Sequence, residues 1–351
     1  MNSRSKHDRL AQKIPEILSG LLGVGPDDIT VRPDLPTGAD FLISAAGLDF
    51  VVEFNMSTSA ALVAAAAKKV SERAGQVQGS AVPLLAVPFM GETGRRLCEE
   101  AGVSWLDLSG NARILAPGMR VIVSGQPNRF RVVGRPPNLF APKSSRIVRW
   151  LLMHPDTLFS QREIARATEM DEGFVSRLVS RFESEEYIIR GKDGAIRPKD
   201  PDLLLNAWRQ IYRFSGHTLY QGHVAARSGD ALLSFVGDTL NARQIEYAAT
   251  GLAAAWVFTH FAAFRTTTVY LADDPPQTLL DALGFREDPR GANLWLVVPN
   301  DAGVFHGAVE RDGFRCVHPV QAYLDLSGHP ERSVEAAEKL KSEFLTWRRN
   351  G

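Results

Sequence analysis

The chain has 351 residues, with 40 Lys or Arg against 40 Asp or Glu and only two cysteines. That length exceeds one compact domain and implies two or three, each burying its own core. Balanced charge excludes a globally basic nucleic-acid coat, so such a partner must be sought in local charge; Cys98 and Cys316, far apart, exclude a disulfide framework or a sulfur-rich zinc site and fit a reducing cytoplasm.

The opening MNSRSKHDRLAQK has no apolar stretch or small-residue cleavage site behind it, which predicts a protein that stays in the cytoplasm. From residue 7 to 22, Leu10, Ile14, Ile17, Leu18 and Leu21 recur at helical spacing until Gly23 to Pro26 stop the helix. The runs GADFLISAAG and LDFVVEFN, separated by Ala45 to Gly47, read as a β-hairpin, and a helix follows from Thr58 to Arg73. Val82 to Phe89 reads as a buried strand, Thr93 to Ala101 as a helix and Val103 to Leu108 as a strand, so an α/β domain over 1–126 is expected.

Between Gln126 and Trp150 the composition changes. Arg129, Arg131, Arg135, Lys143, Arg146 and Arg149 occur among four prolines with no acidic residue, which reads as a stiff basic linker (127–143) entering a new domain. In that domain, 144–199, Ile147, Val148, Leu151 and Leu152 form one helical face ending at Pro155. Ser160 and Glu163 have capping-box spacing at the start of a second helix, and Asp171 opens a third after a short turn. With Phe174, Val175, Leu178, Val179 and Phe182 pointing inward, Glu172, Ser176, Arg177, Ser180 and Arg181 are left on or near the outer face, together with Ser160, Gln161 and Arg162 at the preceding helix start. Short hydroxyls and arginines suit a major groove and its phosphates. YIIRGKDGAIRP then reads as a hairpin wing carrying Arg190, Lys192 and Arg197, while Lys143 and Arg146 flank the first helix as further phosphate contacts. The order helix, helix, helix, wing is that of a winged helix-turn-helix DNA-binding domain; the plainer reading is a helical packing module with solvated arginines.

From Asp200 onward, helices over Pro201–Phe214, Ala242–Phe261 and Ser333–Trp347 alternate with short strands such as LLSFVG and TTTVYLA, giving a third α/β or α+β domain over 200–351. The uncharged run Ala248 to Phe264 is too short for a bilayer, which needs about 20 apolar residues, and is diluted by Thr250, Thr259 and His260; it reads as a buried helix.

The segment 144–199 resembles the winged domain of MarR-type regulators. WLDLSGNARIL, the basic linker and this winged domain together look like the AbiEi-like antitoxin regulators of type IV toxin–antitoxin systems, over roughly residues 80–200, with a weaker likeness in HPVQAYLDLSGHPERSVEAAEKLKSEFL. The resemblance implies an autoregulating repressor and, within a toxin–antitoxin pair, a nucleotidyltransferase-like toxin as its partner. The amino-terminal order of elements also resembles PD-(D/E)xK nucleases, with Asp40 and Glu53 at the acidic positions. Asn55 stands where the lysine belongs, and a neutral amide cannot offset charge developing at a phosphate.

Asp273 and Asp274 precede two prolines and read as a capped loop, and the histidines form no zinc-binding pair. No phosphate loop, dinucleotide fingerprint or nucleophile elbow is present, so no cofactor is expected. The reading is therefore a multidomain α/β protein: a degenerate restriction-endonuclease-like domain, a central winged helix-turn-helix and a C-terminal α/β or α+β domain. It is expected to act as a homodimeric regulator of double-stranded DNA and not as an enzyme. The alternatives are a metal-dependent nuclease using Asp40 and Glu53 with Lys68 or Lys69 as the migrated cation, and a protein that neutralises a toxin without DNA.

Overall fold

A computed structural model describes residues 3–33, 38–77, 79–130, 139–261, 263–327 and 329–347. The chain is mixed α/β and divides into two compact units, Met1–Pro136 and Pro137–Gly351. The segments expected as separate domains over 144–199 and 200–351 both fall within the second unit.

In the first unit the expected opening helix is two helices, α1 (Ser3–Ala11) and α2 (Ile14–Leu22), interrupted at Gln12 and Lys13. A seven-stranded sheet follows the chain order: β1 (Thr30–Pro33), β2 (Phe41–Ala45), β3 (Leu48–Phe54), β4 (Val82–Val87), β5 (Ser104–Asp107), β6 (Ala112–Ala116) and β7 (Met119–Val123). Only β3, β4 and β5 run parallel, because helices α3 (Ala60–Ala74) and α4 (Glu92–Glu100) provide the crossovers that parallel neighbours need. The β2–β3 hairpin closes through Ala46 and Gly47, both at positive φ, a turn whose twist matches the strands. Alternation along β3 sends Phe50 and Val52 to the face covered by Ile14 and Leu18, and Val51 to the face covered by Val63, Ala67 and Val70 of α3. Fully burying Ile14 or Leu18 contributes about 1.5–3 kcal/mol each, so an acidic substitution at either would strip α2 from the sheet.

The second unit begins with α5 (Ser145–Met153), α6 (Gln161–Ala167), α7 (Glu172–Ser184) and the hairpin β8 (Ile188–Arg190) and β9 (Ile196–Pro198). It continues with α8 (Pro201–Ile211), β10 (Thr218–His223), α9 (Gly229–Ala242), β11 (Tyr247–Thr250), α10 (Gly251–Thr259), β12 (Thr267–Leu271), α11 (Gln277–Leu283), β13 (Arg286–Glu287) and β14 (Leu294–Val298). After a 3₁₀ turn at Ala302–Phe305 come β15 (Val309–Arg311), β16 (Phe314–Cys316), α12 (Pro319–Leu326) and α13 (Ser333–Phe344). Seven of these strands form a second mixed sheet in the order β13-β10-β14-β12-β11-β16-β15.

Two expectations for this region are corrected. LLSFVG lies inside α9, not in a strand, because Leu232, Leu233, Val236 and Leu240 recur at helical spacing and are all buried. The expected helix Ala242–Phe261 begins on the last residue of α9 and, after an exposed turn through Arg243, Gln244 and Glu246, is a strand, β11, followed directly by α10; the almost wholly buried stretch Tyr247 to Phe258 carries no periodicity by which to separate the two. The helix expected over Pro201–Phe214 ends at Ile211, and the last helix ends at Phe344. Among the described residues no helix is long and apolar enough to cross a membrane.

Candidate nucleic-acid interface

Helices α5, α6 and α7 pack around Ile147, Val148, Leu151, Leu152, Ile164, Val175, Leu178, Val179 and Phe182, all fully or almost fully buried. The local rules hold at each end. Ser160 Oγ accepts the Glu163 N–H while Glu163 Oε2 accepts the Ser160 N–H, a reciprocal box, and Asp171 Oδ1 accepts the Phe174 N–H at the head of α7. Between them the chain turns through Thr168 to Asp171, with Glu169 at φ 54°, a left-handed conformation that costs a non-glycine residue about 1–2 kcal/mol. Phe159 exchanges two backbone hydrogen bonds with Ile196, which fastens the start of α6 to the hairpin.

The expected contact residues divide into groups. Glu172, Arg177 and Ser180 are exposed on α7, and Ser176 and Arg181 are half-buried beside them. Lys192 is exposed at the tip of the hairpin, Arg190 at its edge, and Arg197 is half-buried. Several of these side chains already have partners. Arg190 grips both carboxylate oxygens of Glu183 at 3.0 and 2.7 Å, Arg181 reaches Glu185 at 3.2 Å and Arg162 faces Glu172 at 3.3 Å; outside the expected set, Lys199 holds Glu186 at 2.6 Å. The Ser160 hydroxyl serves as a cap, and the Ser180 hydroxyl donates back to the Ser176 carbonyl. Among the described residues Arg177 has no carboxylate partner; its guanidinium lies 5.8 Å from the centre of the Phe174 ring. Residues 144–199 contain ten Lys or Arg and nine Asp or Glu, so this face depends on placement and not on an excess of charge.

The basic linker is distributed differently from expectation. Lys143 is exposed, but Arg146 turns inward and forms a bidentate pair with Asp301, 2.8 and 3.0 Å, and its side chain is only 14% exposed. Arg149 is buried in the core of the second unit, stacked 5.2 Å over Trp208. Arg131 and Arg135 lie outside the described residues. Arg129 donates its backbone N–H to Ser109 Oγ.

That last contact explains WLDLSGNAR. Asp107, with no exposure, accepts N–H groups from Met90, Ser109, Asn111 and the Asn111 side chain, while the Asn111 amide bridges both backbone groups of Gln126. The motif is thus a hydrogen-bonded clasp that fixes where the linker leaves the sheet.

The nuclease-like residues are also engaged. Glu53 faces α3, where Lys69 and Arg73, one helical turn apart, each take one of its carboxylate oxygens. Asp40 accepts the Phe54 N–H at 2.8 Å, and Asn55 accepts the Ser57 N–H, shaping the turn before α3. Among the described residues no group of three or more His, Cys, Asp or Glu is placed to hold a metal ion.

The second unit also holds a buried polar network that local sequence pattern scarcely announces. Asp325 accepts hydrogen bonds from Tyr212, Thr250 and Gln321; Gln321 accepts from Arg149 at 2.6 Å; and His217 bridges Tyr212 and Tyr270 through Nε2 while its Nδ1 accepts the Asn300 N–H. Burial pushes Asp325 up to about 6 despite these donors, and burial together with the Arg149 charge pulls His217 down to about 4. The one signal in the sequence is Gln321 and Asp325, two polar residues at i, i+4 on the otherwise apolar α12. No family model, curated protein or solved structure matches the chain.

Proposed function

We propose that the protein is a sequence-specific DNA-binding regulator whose winged helix-turn-helix places α7 in the major groove and the β8–β9 hairpin against the flanking backbone. The observation that carries this reading is the outward row Glu172, Ser176, Arg177 and Ser180 on a capped helix that follows α6 after one tight turn, with Lys192 at the tip of the adjoining hairpin. Arg177 suits bidentate contact with a guanine edge, and the pre-paired cations favour modest non-specific affinity. A homodimer on a two-fold operator extends the few base pairs one module can read. The AbiEi-like resemblance supports an autoregulating repressor or antitoxin within this reading.

The competing nuclease reading needs a free Glu53 carboxylate, and Lys69 and Arg73 occupy it. The first unit is then a degenerate nuclease-like domain kept for contact, not cleavage. Mobility shifts on the protein's own promoter against random duplex test the proposal: equal affinity for both, or none for either, rejects it. Plasmid left intact with magnesium or manganese is the outcome expected of the first unit.

A further inference from the structure

Arg146 is one of the points, with Arg149, at which the helix-turn-helix meets the rest of the second unit. Its Nε and Nη2 hold the two oxygens of Asp301, which lies 155 residues later, just after β14, and its Nη1 donates to the Thr168 carbonyl at 3.2 Å. Thr168 opens the turn that sets α7 against α6, and the next residue, Glu169, sits in the left-handed conformation and adds a favourable charge toward Arg146. Asp301 is itself fixed, capping the 3₁₀ turn through the Gly303 N–H at 2.8 Å. The contact is close-packed: a Cβ added at Gly303 would lie 2.6 Å from Asp301 Oδ1 and 2.8 Å from Arg146 Cγ. Arg146 and Asp301 are 14% and 13% exposed, which leaves little of the guanidinium for a phosphate.

We infer that Arg146 is a positioning residue that ties the helix-turn-helix turn to Asp301, so that the loop after β14 sets the angle at which α7 is presented. A charge-paired guanidinium offers five donors in a rigid fork, and here one fork joins the loop after β14 to the carbonyl of the helix-turn-helix turn. Anything that moves the Asp301 loop therefore moves the turn. The consequence for affinity rests on the DNA-binding reading; the mechanical link does not.

The test compares Arg146→Ala, Arg146→Lys, Asp301→Ala and the double alanine variant, each checked for a cooperative thermal melt. Operator affinity should fall in Arg146→Ala and Asp301→Ala, within the roughly 5- to 150-fold range of ordinary site coupling, and the double variant should fall no further than the singles. Arg146→Lys should not rescue, since an ammonium cannot make the fork. The slope of log affinity against log salt should match the wild type in all of them, whereas loss of a phosphate contact flattens it by about 0.9. Asp301→Ala binding at or above wild-type strength, with a flattened slope in Arg146→Ala, overturns the inference and makes Arg146 a phosphate contact. Without DNA, amide exchange at Thr168, Glu169 and Met170 should quicken in Asp301→Ala, and unchanged rates also overturn it. A wild-type protein that binds no DNA sinks the function proposed above, and amide exchange alone then decides the link.

Discussion

His329 stacks on Trp295, ring centres 5.0 Å apart, and lies against Gly251 with both ring nitrogens buried and without a hydrogen-bond partner among the described residues. Burial holds it down at about 4, against an ordinary 6.5, and the same cause, aided by nearby positive charge, holds His217 and His318 at about 4. A histidine whose folded value is depressed contributes stability that is present above 6.5 and lost as pH falls toward 4. At pH 5 each such group costs about 2 kcal/mol relative to pH 7. Asp325 acts in the opposite sense: raised from 3.8 to about 6, it favours the folded state more as pH falls from 6 to 4, returning about 1 kcal/mol at pH 5. His318 is partly open to solvent and counts for less, so these four groups together cost roughly 4 kcal/mol between pH 7 and pH 5, a large part of a typical 5–15 kcal/mol stability. His329→Leu removes one titration and two orphaned nitrogens at nearly constant volume. It should lie within about 1.5 kcal/mol of wild type at pH 7 and shrink the loss at pH 5 by about 2 kcal/mol, about 1 M in urea midpoint. Five of the six tryptophans lie in the second unit, so fluorescence-monitored urea unfolding reports on it. An identical pH dependence in the variant and the wild type would refute the assignment of this loss to His329.

Gly251→Ala should destabilise the second unit by about 2–4 kcal/mol in the same assay, because φ is +57° and the new Cβ would lie 2.3 Å from His329 Nε2. Asp107→Ala should cost about 3–5 kcal/mol in the first unit, leaving the four N–H donations to that carboxylate without an acceptor; hydrogen exchange at Ser109 and Asn111 would show the clasp open. Asn55→Lys should yield no efficient cleavage of plasmid with magnesium, since Glu53 stays neutralised by Lys69 and Arg73. Arg177→Ala should cost about 1–3 kcal/mol on operator DNA and relax preference at one base pair, whereas Arg181→Ala, already paired with Glu185, should cost less; equal losses in competition titrations would refute that ranking.

The elements legible in the sequence are those written by neighbours in the chain. The box at Ser160 and Glu163, the cap at Asp171, the apolar faces of α5 and α7 (except Phe174, expected inward but half-buried) and the β2–β3 turn at Ala46 and Gly47 all depend on residues a few positions apart, and each is formed where the spacing places it. Where periodicity vanishes, as in the stretch from Tyr247 to Phe258, buried throughout except at the half-buried Trp256, local pattern could not separate β11 from α10, because a run with almost every face covered has no solvent side to mark. The basic linker shows the larger limit. Sequence alone treats Lys143, Arg146 and Arg149 as one charged run, yet only tertiary structure decides that Lys143 meets solvent, Arg146 meets Asp301 and Arg149 meets Gln321. Those partners lie 155 and 172 residues away, and a cation's fate depends on which carboxylate or amide the fold brings within 3 Å of it.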